Sequence, residues 1–146
     1  MGRVMALDVG TKTIGIALSD ELRMFPQPYR TLSRRGVRKD TEALQHVIEE
    51  RDVDHVVVGL PLELDSTEAR SARLARQVGD AVRERSGLPV TYIDERFTSV
   101  EAERLLIRMN VSRKRRKEVI DQAAAALILQ SFLDYGDWTM DGREDP

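Results

Sequence analysis

Three acidic positions of this chain lie where carboxylates can do chemistry. Asp8 ends an apolar run, Asp94 and Glu95 follow a second apolar run, and Asp121 lies in an alanine-rich segment with helical spacing. A carboxylate is costly to bury unless it is hydrogen-bonded, paired or bound to a metal. Two of these acids also have an ordinary explanation: Asp8 can accept N–H groups of its own turn, and Asp121 can favour the dipole at a helix start. Their significance therefore depends on whether the fold brings them together.

The first acid lies within a predicted β-hairpin. Residues 4–7 are apolar throughout, as in a strand buried on both faces, and residues 13–19 carry aliphatic side chains on alternate positions. Gly10 lies in the turn between them and is expected to take a positive φ angle. Thr11, Lys12 and Thr13 surround that glycine with hydrogen-bond donors.

The rest of the chain alternates strands and helices. Pro26 and Pro28 restrict the next segment to an edge strand or an extended loop. Asp40 is expected to cap a helix, and further helices are expected over 65–85, after Thr98 and over 117–135, with strands at 55–59 and 90–93 between them. Such units add strands in parallel. The pattern predicts an α/β fold with a mixed five-stranded sheet, an antiparallel hairpin plus parallel units, and helices on both faces.

This fold would gather the acids at one edge of the sheet. In open α/β sheets, ligands bind where the carboxyl ends of parallel strands converge, and both apolar runs end in acids there. Helical spacing puts Asp121 on one face with Ala124, Ala125 and Ile128, and these small side chains would let the helix approach the sheet closely. A carboxylate cluster of this kind suits Mg²⁺ or Mn²⁺, which take further ligands from water and substrate phosphate.

Composition limits the alternatives. The chain has 146 residues, a formal net charge of -2 and no cysteine, which excludes disulfides and thiolate metal sites. Because no apolar run approaches the roughly 20 residues of a membrane span, we expect a cytoplasmic protein with no membrane partner. Residues 1–135 are expected to form one domain, and residues 136–146 an acidic, mobile tail.

The charge is unevenly distributed. Residues 104–117 contain no acid, and this region ends in a continuous basic run. Such a run is either a solvated connector or a site for a polyanion, and we favour nucleic acid because no acid screens it. Arg96 can hold a phosphate or pair with Asp94, and Thr98 can cap a helix or contact substrate. The candidate contacts to a phosphate backbone are Thr11, Lys12, Arg96, Thr98, Arg113, Lys114, Arg115, Arg116 and Lys117.

Four motifs in family order resemble the YqgF (RuvX) family of Holliday junction resolvases and pre-16S rRNA nucleases: Leu7-Asp-Val-Gly-Thr-Lys12, Val57-Val-Gly-Leu-Pro-Leu62, Asp94-Glu-Arg-Phe-Thr98 and Ile120-Asp-Gln-Ala-Ala124. The resemblance implies a ribonuclease H-like fold and a hydrolase that cleaves phosphodiester bonds of structured nucleic acid. It further implies that Asp8, Glu95 and Asp121 are the catalytic and metal-binding carboxylates. The implied roles are 5′-end processing of pre-16S rRNA in ribosome biogenesis, which we rank first, and resolution of four-way DNA junctions.

The chain departs from the family pattern at one loop. The family usually has Asp-Gly-Thr-Glu-Gly where this chain reads Asp65-Ser-Thr-Glu-Ala69, so two permissive glycines are replaced.

A nuclease-like module that docks on nucleic acid without cutting is the alternative function. A phosphotransferase of the actin, Hsp70 and sugar-kinase group also begins with an Asp-x-Gly-Thr turn, but it needs a second such domain. Junction resolution requires two symmetric cuts and hence a homodimer.

Overall fold

The computed structural model describes residues 2–60, 70–94, 104, 107, 108 and 110–135. Within this part, five strands form one sheet: β1 (Arg3–Val9), β2 (Thr13–Ser19), β3 (Pro26–Ser33), β4 (Val53–Leu60) and β5 (Val90–Asp94). The helices that pack on it are α1 (Val37–Glu50), α2 (Arg70–Ser86) and α3 (Arg113–Tyr135). The strand order is β3-β2-β1-β4-β5.

The pairing of the strands confirms the predicted mixed sheet. β1 pairs antiparallel with β2 and parallel with β4, while β2 and β3 are antiparallel and β4 and β5 are parallel. β3 lies at the edge, where Pro26 and Pro28 leave fewer N–H groups to be satisfied. Of the two readings of this segment, the edge strand is therefore the correct one.

α1 and α2 cover one face of the sheet with large aliphatic side chains. Leu44 and Val47 of α1, together with Val78 of α2, pack on strand residues that are almost completely buried. Each such side chain contributes about 1.5–3 kcal/mol when it is removed from water. The strand residues that form this layer are Met5, Leu7, Ile14, Ile16, Val56, Val58 and Tyr92.

α3 covers the opposite face, where β1 and β2 contribute smaller side chains such as Ala6 and Ala17. The sheet contributes Val4, Ala6, Ala17, Val57 and Ile93, and α3 contributes Ala125, Ile128, Leu129 and Phe132. Asp121, Ala125 and Ile128 share the helical face that was predicted to approach the sheet, and Ala125 and Ile128 are buried there. Ala124, which was predicted to lie on the same face, is buried in a separate cluster with Ala123.

The structure corrects three local predictions. α1 begins at Val37, so Asp40 lies inside its first turn and the N-cap position belongs to Gly36, at φ 106°. α3 begins at Arg113 and not near Lys117. Gly10 does not adopt a positive φ angle, and a Cβ there would make a tight contact, 3.3 Å, with the Thr13 carbonyl oxygen.

Several predicted features lie outside the described residues. These are the capping patterns at 65–68 and 98–101, the loop at 65–69 and the tail at 136–146. α2 is described from Arg70 onward, and it ends at Ser86, before Gly87 with φ 74°.

Candidate active site

Asp8 lies near the carboxyl end of β1, on the face of the sheet that α3 covers. It alternates in phase with Val4 and Ala6, which are buried under α3, whereas Asp8 itself is only partly buried. Its register partner on the antiparallel neighbour β2 is Gly15. Since this partner has no side chain, the space beside the Asp8 carboxylate is left to the helix above.

α3 occupies that space with Asp121. A Cβ added at Gly15 would lie 2.0 Å from the carbonyl oxygen of Asp121 and 2.8 Å from its Cβ, so the helix backbone rests directly on the glycine. Asp121 therefore lies over the residue that pairs with Asp8. The structure brings these two predicted acids together, and Gly15 is the position that allows it.

Thr13 fixes the orientation of the Asp121 carboxylate. Its hydroxyl group donates a hydrogen bond to Oδ2 of Asp121 across 108 residues of sequence. The alternative explanation of Asp121, a favourable position at a helix start, does not hold, because α3 begins more than two turns earlier. The carboxylate is instead held against the sheet by a specific side chain of β2.

The third predicted acid follows the end of β5. Leu7 pairs with Val58, and Val58 with Tyr92, so Asp94 ends β5 at the same edge of the sheet as Asp8. Glu95 is the next residue in sequence and lies outside the described residues, as do Arg96 and Thr98. In the described ranges no three acidic, histidine or cysteine side chains come close enough to hold a metal ion.

A buried ion pair, which the sequence interpretation missed, holds the turn after Asp8. The Arg34 guanidinium donates from Nε to Oδ2 of Asp40 at 2.6 Å and from Nη1 to the carbonyl oxygen of Gly10 at 2.9 Å. The Arg34 backbone N–H also donates to the Lys12 carbonyl at 2.8 Å. The available signal was Asp40 itself, the single acid that closes an otherwise basic segment at 34–39.

The basic run forms the first turns of α3. From Asp121 the helix continues toward Phe132, which packs on His55 near the start of β4, so its first turns project past the edge where Asp8 lies. At 1.5 Å per residue, Arg113 is about 12 Å along the axis from Asp121. Arg113 and Arg115 are exposed, whereas Arg116 is partly buried and donates to the Val111 carbonyl at 2.8 Å. Lys114 and Lys117 are also part of these turns.

Thr11 and Lys12 lie exposed in the β1–β2 turn at the same edge. The structure therefore groups them with the acids and with the beginning of α3. Across the ranges that the structure describes, no helix is long and apolar enough to cross a membrane.

Comparison with known proteins identifies the family. Residues 2–135 match the RuvX family, which is described as Holliday junction resolvase. The chain belongs to this family. It is 46% identical over 132 residues to a Myxococcus xanthus protein, covering 90% of this chain and 87% of that one. It is 42% identical over 134 residues to a Clostridioides difficile protein, covering 92% and 95%. Both relatives carry the name "Putative pre-16S rRNA nuclease".

Solved structures share the RuvX fold. RuvC of Thermus thermophilus, in complex with a Holliday junction substrate, matches with a TM-score of 0.58 at 17% identity, over 94% of this chain and 98% of that one. The fowlpox virus resolvase, in complex with Holliday junction DNA, matches with a TM-score of 0.57 at 9% identity, over 90% and 97%. The predicted ribonuclease H-like fold is confirmed, and family membership confirms the predicted class, a nuclease that hydrolyses phosphodiester bonds.

Proposed function

We propose that this RuvX protein is a divalent-metal-dependent endonuclease that processes the 5′ end of pre-16S rRNA. The observation that carries the proposal is the meeting of Asp8 and Asp121 around Gly15, at an edge of the sheet where exposed basic side chains also lie. The names of the relatives favour ribosomal RNA as the substrate. The family description favours the second candidate substrate, a four-way DNA junction, whose symmetric cleavage would require a homodimer.

The donor set fits Mg²⁺ or Mn²⁺. Asp8 and Asp121 supply carboxylate oxygens, the ligands that these hard cations prefer, and we assign Glu95 as the third ligand because it directly follows Asp94 at this edge. When bound, such an ion lowers the pKa of a water molecule and stabilises the charge of the leaving oxygen. Thr13 keeps the Asp121 carboxylate oriented toward the site through its hydrogen bond.

The basic side chains around the acids are assigned to the phosphate backbone. Lys12 and Thr11 lie in the turn that follows Asp8, and Arg34 holds this turn in place through Gly10. Because charged contacts release counterions, each one should make binding more sensitive to salt. The remaining proposed contacts are Arg96, Thr98, Arg113, Lys114, Arg115, Arg116 and Lys117.

The deciding experiment compares the wild type with Asp8→Asn on two end-labelled substrates, a pre-rRNA 5′ leader and a four-way DNA junction. Each substrate is incubated with Mg²⁺, Mn²⁺ or EDTA. Asp52→Asn is the matched control, because Asp52 is exposed at the opposite edge of the sheet and its φ of 55° suits asparagine. We expect metal-dependent cleavage that falls more than about 100-fold in Asp8→Asn, beyond the effect of removing an outer-shell partner.

The other outcomes are equally specific. Equal residual cleavage by wild type and Asp8→Asn would indicate a contaminant and refute the catalytic assignment. Tight binding without cleavage under any metal would identify a docking module with a nuclease-like fold. Preference for the junction over the leader would move the substrate from ribosomal RNA to branched DNA.

A further inference from the structure

A groove of about 530 Å³, lined by both polar and apolar side chains, lies between the end of β3 and the first turns of α1. Its lining includes Ser33 and Arg35 from the end of the edge strand and the residues after it, and Lys39, Glu42 and His46 from the helix. The nuclease assignment does not use this groove. We propose that it binds an unpaired segment of the substrate, next to the bond that is cleaved at Asp8 and Asp121. This inference rests on the proposed function, since it extends the same substrate beyond the acids.

The groove lies around the edge strand from the acids, because α1 lines it and covers the face of the sheet opposite to that of Asp8. In the sheet, Asp8 pairs with Gly15 and Gly15 pairs with Thr31, which also lines the groove. Two strand spacings, about 10 Å, therefore separate Asp8 from the edge strand. Thr13, two residues before Gly15 on β2, pairs with Ser33. The Thr13 hydroxyl group also donates to Asp121. A chain that leaves the acids must therefore bend around the end of β2 and β3 to reach the groove on the other face.

The charges at the groove change along its length. The Asp40 carboxylate is satisfied internally, because it accepts from Arg34 Nε at 2.6 Å and from the Arg35 backbone N–H at 2.8 Å. The exposed side chains of Arg35 and Lys39 make no ion pair within the described ranges and lie at the end nearer the acids. They therefore offer two cations to a phosphate group.

Farther along α1, the lining becomes polar without net positive charge. Glu42 and His46 are exposed and lie about one and two turns beyond Lys39. A carboxylate accepts hydrogen bonds from base amino groups or ribose hydroxyls, and an imidazole can donate or accept. The order of these groups fits a nucleotide whose phosphate lies near Arg35 and Lys39 and whose sugar and base lie farther along α1.

The size of the groove selects unpaired nucleotides. Its volume falls within the range of sites for single small ligands, about 300–1,000 Å³. A duplex cannot enter a space of this size, whereas an unpaired segment can bend around the end of the edge strand. Single-stranded regions are also where proteins read RNA bases, because those bases are accessible.

The first test measures binding in the Asp8→Asn background, so that no substrate is consumed. A duplex RNA is compared with the same duplex carrying an unpaired extension at its 5′ or 3′ end. We expect one extension to strengthen binding about tenfold and the double variant Arg35→Gln/Lys39→Gln to remove that gain. In the same variant, the slope of log affinity against log salt for the extended RNA should fall by about one to two.

The matched control is Arg51→Gln/Arg85→Gln, which removes the same charge from exposed positions at the opposite edge of the sheet. It should keep the gain from the extension. If the groove variant weakens extended and blunt RNA by the same factor, its cations act only as a general positive field, and the proposal is refuted. No gain from either extension in the wild-type groove would refute it as well.

A second test locates the segment directly. Because the chain has no cysteine, His46→Cys introduces a single thiol in the groove and Arg85→Cys a single thiol far from it. RNA that carries a mixed disulfide on a nucleotide of the extension should cross-link with the first variant only, because the cysteine thiolate attacks this disulfide and releases its small leaving thiol. Cross-linking by a protein that does not cleave would retain the groove and refute the nuclease. Cleavage without cross-linking would support the nuclease and refute the groove as a binding site.

Discussion

The two faces of the sheet are built from different residues. Toward α1 and α2, the strands present large aliphatic side chains such as Leu7, Ile14 and Ile16, all fully buried. Toward α3, the same strands present Ala6, Ala17 and Gly15, with Asp8 and Thr13 at the end of the pattern. One face therefore fills its space with side chains, and the other lets the backbone of a helix come close.

This difference separates stability from chemistry. Large side chains contribute most of the burial that favours folding, and their individual shapes matter little to groups on the far side of the sheet. The small residues contribute less burial, but they place Asp121 against Gly15, next to Asp8. We therefore expect substitutions toward α3 to affect cleavage, and substitutions toward α1 and α2 to affect mainly the free energy of unfolding.

Gly15→Ala should have the largest effect. The added Cβ would lie 2.0 Å from the Asp121 carbonyl oxygen, which is backbone and cannot turn aside. We expect cleavage to fall more than about 100-fold as the helix is displaced from the acids, and the free energy of unfolding to fall by about 1–3 kcal/mol, as for overpacking. Cleavage assays and urea unfolding measure the two quantities.

Gly79→Ala is the control from the other face. Its Cβ would lie 2.3 Å from the hydroxyl oxygen of Tyr92 and 2.8 Å from two carbons of its buried ring, so this side chain, and not a helix backbone, would have to move. We expect some loss of stability, partly offset by the better helix propensity of alanine, with cleavage within about twofold of the wild type. If both variants lose cleavage equally, activity follows stability and the proposed separation of the faces is wrong.

Leu44→Ala tests the stabilising face alone. Leu44 of α1 is fully buried against the sheet, so its truncation should lower the free energy of unfolding by about 2–5 kcal/mol. Cleavage, measured where unfolding curves show the variant to be folded, should remain within about twofold of the wild type. A large decrease in the folded variant would show that this layer also controls the geometry of the acids.

Thr13→Val should have a moderate effect that is specific to the metal. The valine keeps the shape of Thr13 but removes the hydrogen bond to Asp121 Oδ2. Outer-shell partners of metal ligands typically contribute 10–100-fold to affinity or activity, so we expect at least a tenfold rise in the metal concentration for half-maximal cleavage. Thr13→Ser, which retains the hydroxyl, should restore most of it; equal defects in both variants would indicate a purely structural role.

The sequence predicted those features that depend on local pattern. Alternation and β-branched runs indicated the strands, and the spacing of Asp121, Ala125 and Ile128 indicated the helical face that approaches the sheet. The motif resemblance indicated the family, which the match over residues 2–135 confirms. In these cases the residue pattern that supports the prediction lies within one strand or a few helical turns.

Features that depend on distant contacts were missed. The alternation of residues 13–19 did not reveal the role of Gly15, because its requirement comes from the backbone of Asp121, 106 residues away in sequence. Asp40 looked like a helix cap, although its carboxylate pairs with Arg34. α3 begins earlier than expected because the basic residues at 113–116, expected to precede this helix, are good helix formers.

Tyr92→Phe should have the smallest effect, a small loss of stability from the face that α1 and α2 cover. The Tyr92 hydroxyl donates to Oδ1 of Asp80 at 2.6 Å, and its loss should lower the free energy of unfolding at pH 7 by about 1 kcal/mol. Burial of the phenol, followed by its hydrogen bond to the Asp80 carboxylate, raises the pKa of Tyr92 well above its ordinary value. Cleavage at pH 7 should be unchanged, because this side chain faces away from α3.

The pH dependence of that variant follows from the direction of the shift. Above about pH 10 the unfolded chain loses the Tyr92 proton while the folded protein keeps it, so the wild type loses stability as pH rises. Phenylalanine has no proton to lose, and the gap between wild type and Tyr92→Phe should therefore narrow between pH 9 and 11. Urea unfolding of both proteins across this range measures the gap. A constant gap would mean that the pKa of Tyr92 is the same in the folded and unfolded chains. It would contradict the increase in pKa that burial and the hydrogen bond to Asp80 are expected to cause.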